Sequence, residues 1–337
     1  MTKSPSAALA YHSKVSGTGH YIPDRVLSNA DLERMVDTND QWIVERTGIR
    51  NRHLARDDQA TSDLAYIAAT RALENAQLSA TDLDLIIVCT VTPDQPMPTA
   101  ACVLQSKLGA RNIMAFDLSA ACSGFIYGLS VADQFIRTGM YRHALVIGAE
   151  ILHRIVNYKD RETCILFGDG AGAMIVSRAE NGDSSQIMST HCHADGSLGE
   201  LFTLAAGGSR MPFSQHVLDN DLQFVKMKGR EIFKHAVRTM TTGCNEALEA
   251  NGLSKEQVDW LIPHQANIRI LDSVAQYFEI PPERVIVTLP ETGNTSAATI
   301  PTAFDIAVRD GRIKRGQIVL LTAFGAGLTS GSAILRY

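Results

Sequence analysis

The segment A-L-E-N-A-Q-L-S-A-T-D-L-D-L-I (72–86) returns without a gap as A-L-E-A-N-G-L-S-K-E-Q-V-D-W-L (247–261), so position 72 corresponds to position 247. Each copy is typical of a helix end, a short loop and a hydrophobic strand that follows an aspartate. A duplication of half a chain differs from a solenoid, which needs several short repeats. It predicts two similar α/β halves packed face to face, an N-terminal half over residues 1–185 and a C-terminal half over 186–337.

Similar segments follow each copy of this repeat. They are a helix (100–108; 268–278), a short strand (I-M-A-F-D-L, 113–118; R-V-I-V-T-L, 284–289), a small-residue segment (S-A-A-C-S-G-F, 119–125; T-G-N-T-S-A-A, 292–298) and a glycine-rich hairpin (164–176; 321–335). This alignment makes Cys122 and Asn294 equivalent positions, each at the start of a small-residue helix. It also places His264 in the loop after the first strand of the second half.

Composition excludes several classes of function. The 337 residues are 45% hydrophobic and 20% charged with a net charge of -5, which disfavours nucleic acid as the main partner because phosphate binding needs a basic surface. No apolar run approaches the ~20 residues of a membrane span, so no membrane association is expected. The N-terminal segment 1–14 lacks the apolar core of a secretory signal. Six scattered cysteines with no C-x-x-C spacing favour reduced thiols, and we expect a cytoplasmic protein.

Two motifs suggest a bound metal or nucleotide and are better explained otherwise. His191 and His193 would share one face of a strand, but no second cluster of ligands lies near them in sequence, so an ordinary strand is favoured. The stretch G-D-G-A-G-A (168–173) fits a relaxed nucleotide fingerprint, which needs a helix directly after it. M-I-V-S follows instead, typical of a strand. No metal and no bound cofactor are predicted.

Three polar residues are candidates for a site. Cys122 precedes a predicted helix, where the positive end of the helix dipole favours a thiolate nucleophile, although a packed core thiol is an alternative. His264 follows a strand that Pro263 cannot easily continue, at the strand end where α/β sites are usually built, although it could be a bystander. Asn294 could belong to the site or simply cap a helix.

Three motifs occur in a fixed order along nearly the whole chain. They are W-I-V-E-R-T-G-I-R (42–50), D-L-S-A-A-C-S-G-F (117–125) and P-H-Q-A-N-I-R-I (263–270) with E-T-G-N-T-S-A-A (291–298). Together with F-G-D-G-A-G (167–172) and F-G-A-G-L-T (324–329), they resemble the motifs of the β-ketoacyl-acyl-carrier-protein synthase III family. The resemblance implies an α/β, thiolase-like, five-layered αβαβα fold with two pseudo-twofold-related halves, and a homodimer.

The resemblance also implies a catalytic triad of Cys122, His264 and Asn294. Cys122 would take the acyl group from an acyl-CoA primer, and malonyl-acyl-carrier protein would then lose carbon dioxide and attack the acyl-cysteine, initiating type II fatty acid synthesis. His264, as a neutral N–H donor, and the Asn294 amide would stabilise the enolate oxygen, while backbone N–H groups of Cys122 and Ala326 would hold the acyl oxyanion. Many relatives have glycine where Ala326 stands. Thiolases place a second cysteine, and elongating synthases a second histidine, where this chain has Asn294.

Further residues take their expected roles from the same resemblance. For CoA these are Trp42, Arg46, Arg161 and Asn267; an indole suits the adenine face and guanidinium groups suit phosphates. For docking of the carrier protein they are Lys234 and Arg269. The chain departs from many relatives at A-Q-Y-F (275–278), where lysines are often found, which weakens the expected affinity for the carrier protein.

Primer length and pathway stay open at this level. Met97 stands where acetyl-selective relatives often carry a phenylalanine that reaches the acyl pocket from the partner subunit, so flexible methionine predicts primers longer than acetyl. It could equally be a surface or interface methionine. Paralogous ketosynthases of secondary metabolism, with a longer primer or another acceptor, share the triad. A non-catalytic acyl-CoA-binding protein is a remote alternative that the intact triad disfavours.

Overall fold

The computed structural model describes residues 11–337, so most of the N-terminal stretch in which no secretory signal was found lies outside the described residues. The strands are β1 (Ser13–Tyr21), β2 (Arg25–Ser28), β3 (Asn51–Leu54), β4 (Leu85–Cys89), β5 (Met114–Leu118), β6 (His143–Glu150), β7 (Gly170–Arg178), β8 (Gln186–Ala194), β9 (Phe202–Leu204), β10 (Val225–Met227), β11 (Trp260–Pro263), β12 (Ile318–Gly325) and β13 (Thr329–Arg336). The helices are α1 (Asn29–Glu33), α2 (Asp40–Thr47), α3 (Thr61–Ala76), α4 (Ala100–Leu108), α5 (Gly124–Arg137), α6 (Gln215–Asp219), α7 (Gly229–Ala250), α8 (Ile268–Phe278), α9 (Leu289–Thr292) and α10 (Thr299–Arg309).

Two sheets share one strand order. The first runs β1-β7-β6-β4-β5 and the second β8-β13-β12-β11. In the first sheet Leu85 of β4 lies opposite Ala144 of β6, and in the second Trp260 of β11 lies opposite Val319 of β12. Extending the gapless alignment of 72 with 247 brings 85 onto 260 and 144 onto 319, so the sequence repeat is also a repeat of strand register. The division between residues 185 and 186 stays a prediction.

The helices complete a five-layered arrangement. The outer helices α3 and α4 cover the first sheet, α7 and α8 cover the second, and α5 and α10 lie between the sheets. The turn before α10 lies so close to β6 that a Cβ added at Gly148 would stand 2.2 Å from the carbonyl oxygen of Ala297. Only glycine permits this approach, which fixes the position of the second half's central helix. The predicted architecture of two packed α/β halves is therefore confirmed.

Two predicted strands do not form. The hairpin predicted over residues 164–176 does not form. β7 already pairs with β1 along one edge and with β6 along the other, so no edge is left for residues 164–167. The strand predicted over residues 284–289 is reduced to one bridge between Val285 and Leu261. There the side-chain oxygen of Gln265 accepts from the amides of Thr288 and Leu289, which replaces a neighbouring strand. The hairpin predicted at 321–335 is confirmed as β12 and β13.

The predicted equivalence of Cys122 and Asn294 is also wrong. A turn of 3-10 helix, Ala121–Ser123, leads into α5, and an equivalent turn, Ser296–Ala298, leads into α10. The alignment that brings 72 onto 247 also brings 121 onto 296, and therefore Cys122 corresponds to Ala297. Asn294 lies three positions earlier, and therefore corresponds to Ser119.

Within residues 11–337, no helix is both long enough and apolar enough to cross a membrane. The histidines of the H-C-H motif do share one face of β8, as the sequence predicts. His191 and His193 both approach Glu246, with closest nitrogen–oxygen distances of 3.3 and 2.7 Å. An exposed carboxylate of α7 thus accounts for the pair.

Candidate active site

Cys122 is held by a turn of small residues between the two halves. Ala121 adopts a positive φ of 46°, which turns the chain sharply just before the thiol. The end of β12 approaches from the other half, and a Cβ added at Gly325 would stand 2.7 Å from the Cys122 amide nitrogen. Glycine is required at that point, because only a residue without a side chain lets the two backbones approach so closely.

The thiol is protonated in the resting enzyme. Cys122 is 6% exposed. Burial raises the pKa of its thiol to about 12, although a hydrogen bond with the Ser296 side chain lowers it in part. The dipole of α5 favours a thiolate, as expected from the sequence, but desolvation raises the pKa of this thiol. The proton must leave as the nucleophile attacks.

His264 lies at the end of β11, as predicted, and is neutral. Its side chain is 2% exposed, and burial without a charged partner lowers the pKa of its imidazole to about 3. The backbone amide of His264 donates to the carbonyl of Thr322 in β12 at 2.8 Å, which ties the residue to the second sheet. Its Nδ1 lies 2.7 Å from the hydroxyl oxygen of Thr299, the first residue of α10. A neutral imidazole cannot act as a charged group at physiological pH, but it can donate one hydrogen bond.

Asn294 is fixed by its backbone and by one end of its amide. Its N–H donates to the carbonyl of Leu166 at 2.9 Å, and its own carbonyl accepts from Gly168 at 3.1 Å. The side-chain oxygen accepts from the amide of Ser296 at 2.9 Å. Because the oxygen is used in this way, the NH₂ end of the amide is the end available to a ligand.

Cys122, His264 and Asn294 line one cavity of about 1070 Å³. A second, smaller cavity of about 180 Å³ opens from Cys122 and has mostly apolar walls that include Leu152, Val156 and Phe202. Ala326 lines this smaller cavity together with Cys122. Within residues 11–337, neither the Cys122 amide nor the Ala326 amide donates to another group of the protein. Both N–H groups are thus available as the predicted oxyanion donors.

The charged side chains that line the large cavity are mostly basic. Six basic residues and two acidic residues, Glu162 and Glu231, lie among the side chains that line it. The basic residues are Arg46, Arg161, Lys228, Arg230, Lys234 and Arg269. Every residue predicted to bind CoA or the carrier protein lies along this one cavity.

Three of the predicted CoA residues form a stack in the wall of this cavity. The guanidinium carbons of Arg46 and Arg161 lie 4.5 and 5.2 Å from the centre of the Trp42 ring. Asn267 lines the cavity, but its amide nitrogen donates to the carbonyl of Arg46 at 2.8 Å and its oxygen accepts from the amide of Arg269 at 3.0 Å. Asn267 is therefore the N-cap of α8, and it fixes α2 against α8 beside the stack.

The docking residues Lys234 and Arg269 line the same cavity as the triad, whereas the gate residue Met97 does not. The guanidinium of Arg269 packs 5.6 Å from the ring centre of Phe233. Of the A-Q-Y-F segment, Ala275 and Phe278 are buried in the core, so only Gln276 and Tyr277 could have been exposed lysines. Met97 is 82% exposed and lines neither cavity of the single chain.

Comparison with known proteins identifies the family. The family model for 3-oxoacyl-[acyl-carrier-protein] synthase III matches residues 116–196, and the model for its C-terminal part matches residues 248–337. The curated β-ketoacyl-[acyl-carrier-protein] synthase III of Thiobacillus denitrificans is 54% identical over 332 residues, covering 97% of this chain and 99% of that protein. The chain belongs to the 3-oxoacyl-acyl-carrier-protein synthase III family. The resemblance found in the sequence, 3-oxoacyl being another name for β-ketoacyl, is confirmed.

Solved structures agree with this assignment to the synthase III family. The crystal structure of the synthase III from Aquifex aeolicus has a TM-score of 0.89 and 47% identity, and it covers 96% of this chain and 100% of that one. The priming β-ketosynthase from the R1128 polyketide biosynthetic pathway has a TM-score of 0.90 and 33% identity, covering 98% of each chain. The predicted thiolase-like fold is confirmed, and the chain is a condensing acyltransferase of this synthase III family.

Sequence reasoning missed three polar residues of the site. Glu150, the last residue of β6, is fully buried and accepts hydrogen bonds from Thr92 at 2.5 Å and Thr90 at 3.1 Å. Burial raises the pKa of its carboxyl to about 7. The Ser296 side chain lies near both Cys122 and Glu150 and lowers the pKa of each group in part. The available sequence signal for Glu150 was an acidic residue at the end of the apolar run A-L-V-I-G-A-E (144–150). No sequence signal points to Ser296 or Thr299, since both lie in an ordinary small-residue segment.

Proposed function

We propose that this protein joins an acyl-CoA primer to malonyl-acyl-carrier protein and releases CoA, carbon dioxide and a 3-oxoacyl-acyl-carrier protein. The observation that carries the proposal is the convergence of Cys122, His264 and Asn294 on one cavity with a basic entrance, in a chain of the synthase III family. This reaction would initiate type II fatty acid synthesis. It needs no bound cofactor, because CoA enters and leaves as part of a substrate.

The first half-reaction is transfer of the acyl group to Cys122. The sulfur attacks the thioester carbon, and the carbonyl oxygen, which becomes negative, accepts from the amides of Cys122 and Ala326. The backbone amide at 326 is present whether the residue is glycine or alanine, so the departure from many relatives at this position leaves the donor intact. The smaller cavity beside Cys122 supplies apolar walls for the acyl chain. The proton of the Cys122 thiol passes to the departing sulfur, so that CoA leaves as a free thiol and an acyl-enzyme remains.

The second half-reaction is decarboxylation of the malonyl thioester. Loss of carbon dioxide leaves an enolate, whose negative oxygen is stabilised by donors placed in advance and needs no strong base. The neutral imidazole of His264 and the NH₂ of Asn294 are two such donors. The enolate carbon then attacks the acyl-cysteine and expels the Cys122 thiolate, which takes up a proton from water to regenerate the free thiol.

The entrance suits a substrate that carries phosphates and an aromatic base. The guanidinium groups of Arg46 and Arg161 lie over the Trp42 ring, and six basic side chains line the cavity. Arginine binds phosphate oxygens in pairs, and CoA has both phosphates and adenine. Lys234 and Arg269 are the proposed contacts for the acidic carrier protein at the same entrance. A homodimer, in which the partner subunit brings Met97 to the acyl pocket, and cytoplasmic location belong to this proposal as well.

A second candidate is a ketosynthase that primes polyketide synthesis. The likeness to the R1128 priming ketosynthase favours it, since that protein has the same fold at 33% identity. The two candidates differ in primer and acceptor and not in the triad. Curated synthase III proteins at 53% and 54% identity are closer to this chain in sequence, which favours the fatty-acid enzyme.

One experiment tests the proposal and separates the candidates. The purified protein is incubated with acyl-CoAs from acetyl to dodecanoyl, and its intact mass is measured before and after addition of malonyl-acyl-carrier protein. We expect one acyl adduct, which disappears when malonyl-carrier protein is added and carbon dioxide is released. An adduct that persists with malonyl-carrier protein but is discharged by malonyl-CoA would contradict the assigned acceptor. Absence of any adduct would leave the non-catalytic alternative.

A further inference from the structure

The proton on His264 must occupy one ring nitrogen. The imidazole is neutral, so one nitrogen donates and the other accepts. Nδ1 lies 2.7 Å from the Thr299 hydroxyl, and within residues 11–337 the ring has no other hydrogen-bond partner. Because Nδ1 contacts Thr299, Nε2 is the nitrogen left for the cavity. If Nδ1 carried the proton, Nε2 would be a bare acceptor and could not stabilise an enolate oxygen.

The Thr299 hydroxyl has one proton and two acceptors within reach. One is Nδ1 at 2.7 Å, and the other is the carbonyl oxygen of Ser296 at 3.0 Å. The Ser296 carbonyl already accepts the backbone N–H of Thr299 itself, so it is satisfied without the hydroxyl. In the opposite arrangement Nδ1 would carry the proton and donate to the hydroxyl, which would donate in turn to the Ser296 carbonyl, so that this oxygen would accept two hydrogen bonds. The shorter distance to Nδ1, and a Ser296 carbonyl that is already paired, favour donation to Nδ1.

We propose that Thr299 is a positioning residue for decarboxylation: its hydroxyl donates to Nδ1 of His264 and thereby keeps the proton on Nε2, facing the malonyl thioester. The proposal rests on the proposed function for the identity of the substrate, but the tautomer itself does not depend on it. Thr299 does this work without touching the substrate, since it is 2% exposed and lies behind the imidazole.

The other half of the molecule supports the assignment by contrast. In the gapless alignment of 72 with 247, His264 corresponds to Cys89 and Thr299 to Gly124. These two residues also adjoin, since a Cβ added at Gly124 would stand 3.4 Å from that of Cys89. The duplicated backbone therefore brings these two positions together in both halves, and only in the second half do they carry a histidine and a hydroxyl group.

The test compares three variants in two separate assays. Thr299→Val keeps the shape and removes the hydroxyl, Thr299→Ser keeps the hydroxyl, and Thr302→Val is the matched control. Thr302 lies one turn further along α10, is equally buried, and has only a 3.4 Å hydrogen bond to the Ala171 carbonyl. We expect Thr299→Val to lower kcat for carbon dioxide release by about ten- to a hundredfold, the cost typical of an orienting partner of histidine. Acylation of Cys122 should change little, and Thr299→Ser should restore decarboxylation.

A spectroscopic measurement on the wild-type protein tests the tautomer directly. With ¹⁵N-labelled histidine, the His264 signals, assigned by their loss in His264→Ala, should show a protonated Nε2 and an unprotonated Nδ1. A proton on Nδ1 would overturn the proposal, and so would equal losses of acylation and decarboxylation in Thr299→Val or the same defect in Thr302→Val. If the wild-type protein neither forms an acyl-enzyme nor releases carbon dioxide, the proposed function fails while the tautomer is still measured.

Discussion

The turn that begins α5 and the turn that begins α10 have the same backbone and carry different chemistry. Each is a short 3-10 turn followed at once by a helix, and its first residue, Ala121 or Ser296, has a positive φ of 46° or 50°. The first turn presents Cys122, and the second presents Ala297 at the equivalent position. The two turns contact each other where the halves meet.

The same contrast recurs wherever the two halves reach the cavity. The equivalent pairs, in the one gapless alignment, are Cys89 with His264, Gly124 with Thr299, and Glu150 with Gly325. Strand register and small residues fix the backbone in both halves, whereas each side chain was free to differ. A site of this kind therefore needs two copies of the fold but only one copy of each reactive group.

The largest effect is expected at Cys122, the one nucleophile in this comparison. Cys122→Ser should lower acyl transfer by ~10³-fold or more, because a buried alcohol without a strong adjacent base is a poor nucleophile. Intact mass and peptide mapping should place the acyl group on Cys122 of the wild-type protein. The exposed Cys102 offers a control, and Cys102→Ser should acylate normally. An acyl group found on Cys89 or Cys164 instead would refute the assignment of the nucleophile.

The next effect separates the work of the two halves. His264→Ala and Asn294→Ala should each slow decarboxylation by about 10²–10³-fold, since each removes one donor to the enolate oxygen. Self-acylation, which depends on Cys122 and backbone amides, should be affected far less. Carbon dioxide release and acyl-enzyme formation are measured separately. If both variants lost only acylation, these residues of the second half of the chain would serve the acylation of Cys122 and not the decarboxylation.

The neutral state of His264 predicts how decarboxylation depends on pH. Because burial lowers the pKa of its imidazole to about 3, protonation of His264 should not reduce decarboxylation between pH 5 and 8. The stability that comes from keeping it neutral is present above the usual histidine pKa and is lost as the pH falls towards 3. Carbon dioxide release by preformed acyl-enzyme, measured across this range, should show no inflection near pH 6.5. An inflection there that disappears from the residual rate of His264→Ala would contradict a neutral His264.

Glu150 corresponds to Gly325 of the second half, and its replacement should change the pH dependence of stability. The Glu150 carboxyl has a pKa raised from 4.5 to about 7 by burial, so the folded protein holds a proton that the unfolded chain releases. Stability from this group is present below pH 4.5 and is lost as the pH rises through 7, by roughly 3 kcal/mol at most. The free energy of unfolding of Glu150→Gln, measured with urea, should lack this pH dependence. The stability of the variant relative to the wild type should therefore increase from pH 4.5 to 7.5. Parallel pH curves for the two proteins would show that Glu150 ionises normally.

The smallest effect concerns the loops that follow β4 and β11. The first, residues 90–99, is long and carries exposed Met97, whereas only residues 264–267 separate β11 from α8. Met97→Phe should narrow primer use toward acetyl-CoA and leave acetyl transfer nearly intact, with up to ~0.8 kcal/mol lost per methylene that no longer fits. Rates with acetyl-, hexanoyl- and decanoyl-CoA measure this. If the wild type used only acetyl-CoA, and Met97→Phe had the same rates with every primer, Met97 would not control primer length.

Local sequence was sufficient for much of the site. The positions of His264 and Asn294 in loops and of Cys122 before a helix followed from punctuation by proline and small residues, and motif order indicated the family. The predicted equivalence of Cys122 with Asn294 was wrong because small residues surround both positions, and only the two matching turns of the structure show that the offset of 175 residues continues as far as Cys122. Glu150 and Thr299 could not be assigned at all, since their partners Thr92 and His264 lie far from them in sequence.

The sequence by itself determined the duplication and the two α/β halves, because these are visible in periodicity and spacing, and the resemblance of its motifs to a known family indicated the candidate reactive side chains. Only the tertiary structure decided their ionisation and hydrogen bonding. A helix dipole favours a thiolate at Cys122, yet burial between the halves raises the pKa of that thiol to about 12 and lowers that of His264 to about 3. Desolvation depends on everything that surrounds a group in space, and those surroundings come from segments far apart in the chain.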